Sequence, residues 1–70
     1  MNFEQRCLAI TASVTSTRAY FFQGTMFLET EDSEIATKVY NALYNDELVN
    51  CQKGIIYGKC GQSETSYDFV

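Results

Sequence analysis

The segment ETEDSEIATKVYNALYND, residues 29–46, has the apolar spacing of a helix and constrains the fold more than any other part of the chain. Five apolar residues fall at helical spacing and line one side: Ile35, Ala36, Val39, Ala42 and Leu43. Asp32 or Ser33 can cap the start, where acidic side chains suit the positive end of the helix dipole. The sequence therefore predicts a helix over Ser33–Tyr44.

The two segments before this helix have the alternation of strands. Residues 8–14 place apolar side chains at even positions, and residues 20–28 do the same apart from Gly24. A hairpin between these segments would put both even-numbered stripes on one face, with Ile10 opposite Phe22. We therefore expect two N-terminal strands whose shared apolar face lies under the helix.

Gly24 interrupts the second of these strands, and two interpretations are open. One long strand with a bulge or kink at Gly24 would keep its even-numbered stripe on a single face. A two-residue turn at Gln23–Gly24 would instead divide the run into two strands, since glycine suits the positive φ of such turns. The matching alternation of residues 8–14 and 20–28 favours the long, bent strand.

The last third of the chain predicts a second hairpin. Residues 55–57 are β-rich and lie between two glycines, and residues 65–70 alternate after the turn-forming segment CGQSE. The predicted order is β-β-α-β-β, in a single domain that spans residues 1–70. The fold class is α+β, a four-stranded antiparallel sheet with one helix packed on one face.

Charge and hydropathy exclude two classes of partner. The net charge is −4, and the five basic residues are scattered singly, so they do not build a phosphate-binding patch and no direct nucleic-acid binding is expected. No apolar run is long enough to span a bilayer, and the N-terminus lacks the pattern of a signal peptide. We therefore expect a cytoplasmic protein with no membrane partner.

Residue types that carry chemistry are sparse. The chain has no histidine, and its three cysteines, Cys7, Cys51 and Cys60, include no C-x-x-C pair. A zinc site or a Cys–His nucleophile is therefore not expected, and the thiols are expected to be reduced, with a Cys51–Cys60 disulfide as the alternative. The glycines of KGIIYGKCG do not have the spacing of a phosphate-binding loop. We predict no catalytic residue, no cofactor and no metal, and therefore a protein that is not an enzyme.

Four acidic residues lie within six positions: Glu29, Glu31, Asp32 and Glu34. A solvated junction between strand and helix explains them, but they can also attract a basic partner or imitate a phosphate backbone. Their spacing does not match a calcium-binding loop.

Aromatic residues give the second candidate surface. In the predicted sheet, Phe21 and Phe27 lie at odd positions and point away from the helix. Because one helix covers only one face, these rings indicate a surface for a partner or for self-association. The predicted partner-binding residues are Phe21 and Phe27 together with the four acids, and the predicted oligomer is a homodimer.

These observations favour a non-enzymatic interaction protein, of inhibitor or adaptor type, that docks on a protein partner. The composition is typical of small phage-encoded or accessory proteins. One alternative is an acidic nucleic-acid mimic that occupies the basic groove of a DNA- or RNA-handling protein. Another is a small ligand-binding protein or enzyme that uses tyrosine and cysteine side chains. The dependence of binding on ionic strength distinguishes protein docking from nucleic-acid mimicry, because charge mimicry weakens with ionic strength more steeply than apolar docking does.

Overall fold

The protein combines three helices with an antiparallel sheet in a computed structural model that describes residues 2–52, 54–56 and 58–69. The elements follow in the order α1 (Phe3–Val14), β1 (Ala19–Phe22), β2 (Thr25–Leu28), α2 (Ser33–Tyr44), α3 (Glu47–Gln52), β3 (Ile55–Ile56) and β4 (Thr65–Phe69). The predicted α+β class is confirmed. Among the described residues, no helix is long and apolar enough to cross a membrane.

The sheet is smaller than predicted. Three strands of four or five residues, β1, β2 and β4, pair antiparallel in that order, and the two-residue β3 lies beyond β4. A sheet of four full strands under a single helix is therefore not confirmed. The pairing of β3 with β4 agrees with the predicted second hairpin where the structure describes it, and Tyr57 and Val70 lie outside the described residues.

The N-terminal segment is a helix, so the predicted strand over residues 8–14 is wrong. Asn2 and Gln5 form a capping box: the Gln5 N–H donates to Asn2 Oδ1 at 2.8 Å, and the Asn2 N–H donates to Gln5 Oε1 at 3.5 Å. Cys7 and Thr11 lie one turn apart and are buried. The alternation covered only seven residues, whereas the capping signal and the longer apolar spacing from Phe3 favour a helix.

Helix α2 is confirmed at Ser33–Tyr44. Asp32 is its N-cap, and its side chain accepts a hydrogen bond from the Glu34 N–H at 2.9 Å. The short α3, which was not predicted, starts after Asp46, whose side chain accepts from the Val49 N–H at 3.1 Å.

The interruption at Gly24 is a turn, so the predicted long, bent strand is wrong. Gln23 and Gly24 have φ angles of 52° and 81°, the conformation of a two-residue hairpin turn. Phe22 pairs with Thr25 across it. Because paired residue numbers then sum to an odd value, even positions of β1 share a face with odd positions of β2. Tyr20 and Phe22 therefore lie on the face away from the helices and Phe21 lies on the face toward them, which reverses the prediction for β1.

One face of the sheet packs against the helices. Its buried side chains join those of the helices in a single core: Met26, Leu28 and Tyr67 with Cys7, Val39, Leu43 and Val49. The Tyr67 hydroxyl donates to the Ala36 carbonyl at 2.8 Å, which connects β4 to α2. The helices therefore cover the face that carries Tyr67 and not the opposite face.

Candidate interaction face of the sheet

The sheet face that points away from the core is here called the open face. On the three longer strands, the register places six side chains on it: Tyr20, Phe22, Thr25, Phe27, Ser66 and Asp68. These residues lie directly opposite one another in two rows across β1, β2 and β4. The sheet therefore presents an aromatic and polar surface that lies outside the core.

Aromatic rings occupy the β1–β2 half of the open face. The rings of Tyr20 and Phe27 stack, with centroids 5.4 Å apart and planes inclined by 21°. Phe22 is 60% exposed, more than any other large apolar residue that the structure describes. An exposed ring beside a stacked pair forms an apolar surface that another molecule can cover.

Charged side chains surround these rings. The guanidinium carbon of Arg18 lies 5.3 Å from the centre of the Tyr20 ring, and its Nη1 lies 3.0 Å from Glu29 Oε1. The Tyr20 hydroxyl donates to Glu64 Oε2 at 2.6 Å. On β4, Asp68 Oδ1 accepts from the Thr25 hydroxyl at 2.8 Å.

The groups around Tyr20 change the pKa of its hydroxyl. The hydrogen bond to Glu64 raises the pKa of the Tyr20 hydroxyl, and burial and the negative charges of Glu64 and Glu29 add to the effect, while Arg18 opposes it. The phenol therefore stays protonated beside a carboxylate. In chemical terms, the open face offers aromatic rings flanked by carboxylate oxygens, an arrangement suited to a cationic side chain.

The structure separates the two phenylalanines that were predicted to point away from the helix. Phe27 lies on the open face, as expected. Phe21 lies on the helix-covered face, where its ring is 5.8 Å from Phe69 and 6.5 Å from Phe3, centroid to centroid. The predicted contact between Ile10 and Phe22 is also wrong, because Ile10 lies on α1 and Phe22 is exposed. The turn exchanges the two faces of β1 relative to the prediction, which explains why Phe21 lies on the helix-covered face and Phe22 is exposed.

All four predicted acidic residues are exposed, but two of them have structural roles. Glu29 pairs with Arg18 beside the open face, and Asp32 caps α2. The Glu31 carbonyl accepts a hydrogen bond from Cys60 Sγ at 2.9 Å. A binding role for Glu29, Glu31, Asp32 and Glu34 remains a prediction.

Sequence reasoning missed Tyr20, Phe22, Glu64 and Asp68 as members of one surface. The glycine at position 24 was the signal that could have found them, because the two-residue turn sets the register of β1 on β2. Glu64 and Asp68 come from a segment far along the chain, so only the pairing of β2 with β4 brings them near the aromatic rings.

A second exposed apolar surface lies where α2 meets α3. Tyr44 is 54% exposed and Leu48 is 55% exposed. The Tyr44 ring stacks on Tyr40 at 5.9 Å.

No group of three histidine, cysteine, aspartate or glutamate side chains is placed to hold a metal ion in the described ranges 2–52, 54–56 and 58–69. Cys7, Cys51 and Cys60 form no disulfide bond with one another; Cys7 is buried and the other two are exposed. Comparisons with protein-family models, with curated proteins and with solved structures gave no significant match.

Proposed function

We propose that this protein binds another protein through its open face, as a non-enzymatic interaction module of inhibitor or adaptor type. The observation that carries the proposal is the position of Arg18, whose guanidinium lies over the Tyr20 ring while it pairs with Glu29. Arg18 thus makes the two contacts, one with an aromatic ring and one with a carboxylate, that a basic side chain of a partner would need.

The partner that suits this face is a segment bearing arginine or lysine. Phe22 and Phe27 provide further ring surface, and Asp68 and Glu64 provide carboxylate oxygens on the same side of the sheet. Cation–π contacts and charge-assisted hydrogen bonds are the interactions expected between such groups and a guanidinium. The net charge of −4 adds a long-range attraction for a basic partner.

The nucleic-acid mimic is the less favoured function. Mimicry of a phosphate backbone needs acidic side chains that are free to face a basic groove. Glu29 is already paired with Arg18, and Asp32 is used to cap α2. A protein that docks through aromatic rings instead needs the exposed ring of Phe22, which no structural role explains. We expect the protein to act in the cytoplasm, where the exposed thiols of Cys51 and Cys60 stay reduced.

The first test uses a defined probe. The isotope-labelled protein is titrated with a short acetylated peptide of alternating arginine and glycine, and amide shifts are followed by NMR. The matched control peptide replaces arginine with citrulline, which keeps the shape and removes the charge. We expect shifts on β1, β2 and β4 with the arginine peptide only. Shifts centred on Tyr44 and Leu48, or none up to millimolar peptide, would contradict the proposal.

The second test compares two variants in capture experiments from the source cell. Phe22→Ser removes an exposed ring from the open face, and Leu48→Ser removes a similarly exposed apolar side chain from the helical surface. Both variants should fold, since exposed residues add little to the core. A specific partner should be lost with Phe22→Ser and kept with Leu48→Ser. The reverse result would assign binding to the surface between α2 and α3.

A further inference from the structure

We infer that two copies of this chain pair through the outer edge of β1, which joins their sheets into one. The order β1-β2-β4-β3 leaves β1 at one edge of the sheet. No described residue forms a backbone hydrogen bond with the outer side of this strand. This inference does not rest on the proposed function, because it is argued from the unpaired backbone of the β1 edge and not from a basic partner.

The register identifies the backbone groups that remain unpaired. The Glu29 N–H donates to the Arg18 carbonyl at 2.9 Å, so Arg18 and, by alternation, Tyr20 and Phe22 hydrogen-bond toward β2. The N–H and C=O groups of Ala19 and Phe21 therefore point outward. Unpaired strand groups of this kind are a template for another strand.

The two edges of the sheet differ in their protection. On the far side, β3 has only two residues, and a short edge strand offers little to pair with. The sequence of β1, AYFF, contains no charge, proline or glycine that would discourage pairing. Among the residues that the structure describes, the β1 edge is therefore the one suited to strand addition.

A second copy fits this edge in one register. If Ala19 lies opposite the partner's Phe21, the twofold axis also places Phe21 opposite the partner's Ala19. Each of these two pairs exchanges two backbone hydrogen bonds, which gives four in total. A shift of two residues in either direction pairs Phe21 with Thr17, which lies in a bend, or Ala19 with Gln23, which lies in the turn. Those registers lose half of the hydrogen bonds.

The side chains agree with this register. On the helix-covered face, the small Ala19 meets the large ring of the partner's Phe21. On the open face, Tyr20 meets its own copy at the axis, and Arg18 lies opposite the partner's Phe22. The aliphatic part of Arg18 can then pack against a ring that is 60% exposed in the single chain. No like charges lie opposite each other.

The test measures assembly and amide exchange on the intact protein. Sedimentation over a range of concentrations should show a monomer–dimer equilibrium. Hydrogen exchange of the Ala19 and Phe21 amides should slow several-fold as the concentration rises, while the Tyr20 and Phe22 amides, which already bond to β2, should change little. A monomer at every concentration, or a dimer in which the Ala19 and Phe21 amides still exchange freely, would overturn the inference.

A backbone variant provides an independent test. Ala19→Pro removes an outward N–H that bonds to no other described residue, so it should abolish the dimer while circular dichroism and thermal unfolding show a folded monomer. If that variant does not fold, N-methylation of the Ala19 amide in synthetic protein removes the same donor. A persistent dimer with either change would contradict the β1 pairing. The arginine-peptide titration should still succeed on the monomeric variant, so failure of the proposed function and failure of the dimer can be told apart.

Discussion

The hydroxyl of Tyr67 donates a hydrogen bond of 2.8 Å to the carbonyl oxygen of Ala36, and both residues are fully buried. Tyr67 lies in β4, between β2 and β3, and Ala36 lies in the first turn of α2. The bond therefore fixes the height and rotation of α2 over the sheet. It also satisfies the one polar group of the largest side chain in the core.

We expect Tyr67→Phe to lower the free energy of unfolding by about 1 kcal/mol, the usual net value of a buried hydrogen bond. Urea unfolding measures it. The matched control is Tyr44→Phe, which removes a hydroxyl from a ring that is 54% exposed. Equal stability of the two variants would show that the bond contributes nothing.

The sequence was sufficient for α2 because its caps and its apolar stripe agree. It misled at residues 8–14, where the alternation over seven residues fits a strand, and the helix is indicated only when the capping box of Asn2 and Gln5 is included. The open face needed one further fact, the choice between a bulge and a turn at Gly24. The alternation of residues 8–14 favoured the bulge, and that argument fails because these residues form a helix, whereas Gln23 and Gly24 adopt the positive φ angles of a turn.

Gly58 lies so close to β4 that no other residue fits. A Cβ added at Gly58 would overlap the carbonyl oxygen of Ser66, and backbone cannot move aside as a flexible side chain does. We expect Gly58→Ala to reduce the free energy of unfolding by about 3 kcal/mol, at the upper end for overpacking. Gly61→Ala is the matched control, because its Cβ would lie 3.0 Å from the Glu64 carbonyl oxygen. A loss no larger than that of the control would contradict the close approach.

The turn at Gln23–Gly24 stores backbone strain that substitution can change in both directions. Gly24→Ala meets no atom within 4 Å, so its cost comes from φ of 81° alone and should be about 1 kcal/mol. Gln23→Asn should stabilise the protein by a few tenths of a kcal/mol, since asparagine tolerates positive φ better. Thermal unfolding compares both with the parent. A stabilising Gly24→Ala would show that the hairpin adopts another turn.

Arg6 and Asp46 connect the start of α1 to the junction of α2 and α3. Arg6 Nη2 and Nε donate to Asp46 Oδ2 at 2.6 Å and 3.2 Å. These hydrogen bonds, with smaller help from the Val49 N–H, hold the pKa of Asp46 below its usual value, although burial opposes the shift. Because the folded pKa is depressed, the stabilisation is present above the unfolded pKa of about 3.9 and is lost as the pH falls through the folded value.

We therefore expect the stability difference between the parent and Asp46→Asn to shrink as the pH is lowered below about 4. Asparagine keeps an acceptor for the Val49 N–H, so the comparison isolates the charge. Denaturant unfolding across this range measures the effect, and a double-mutant cycle with Arg6→Gln at neutral pH assigns it to the pair. A difference that does not vary with pH would exclude the ion pair as its source.

Tyr20 provides a spectroscopic probe of the open face, because its hydroxyl pKa is raised first by the hydrogen bond to Glu64. A raised pKa means that the folded protein favours the neutral phenol. The stabilisation from its hydrogen bond to Glu64 is therefore present below the unfolded pKa of about 10 and is lost as the pH rises through the folded pKa. Glu64→Gln should lower the Tyr20 midpoint, measured by the NMR shift of its ring carbon Cζ. Glu34→Gln, at the start of α2, is the control and should leave the midpoint unchanged. A midpoint that does not move in Glu64→Gln would show that the phenol and the carboxylate do not interact in solution.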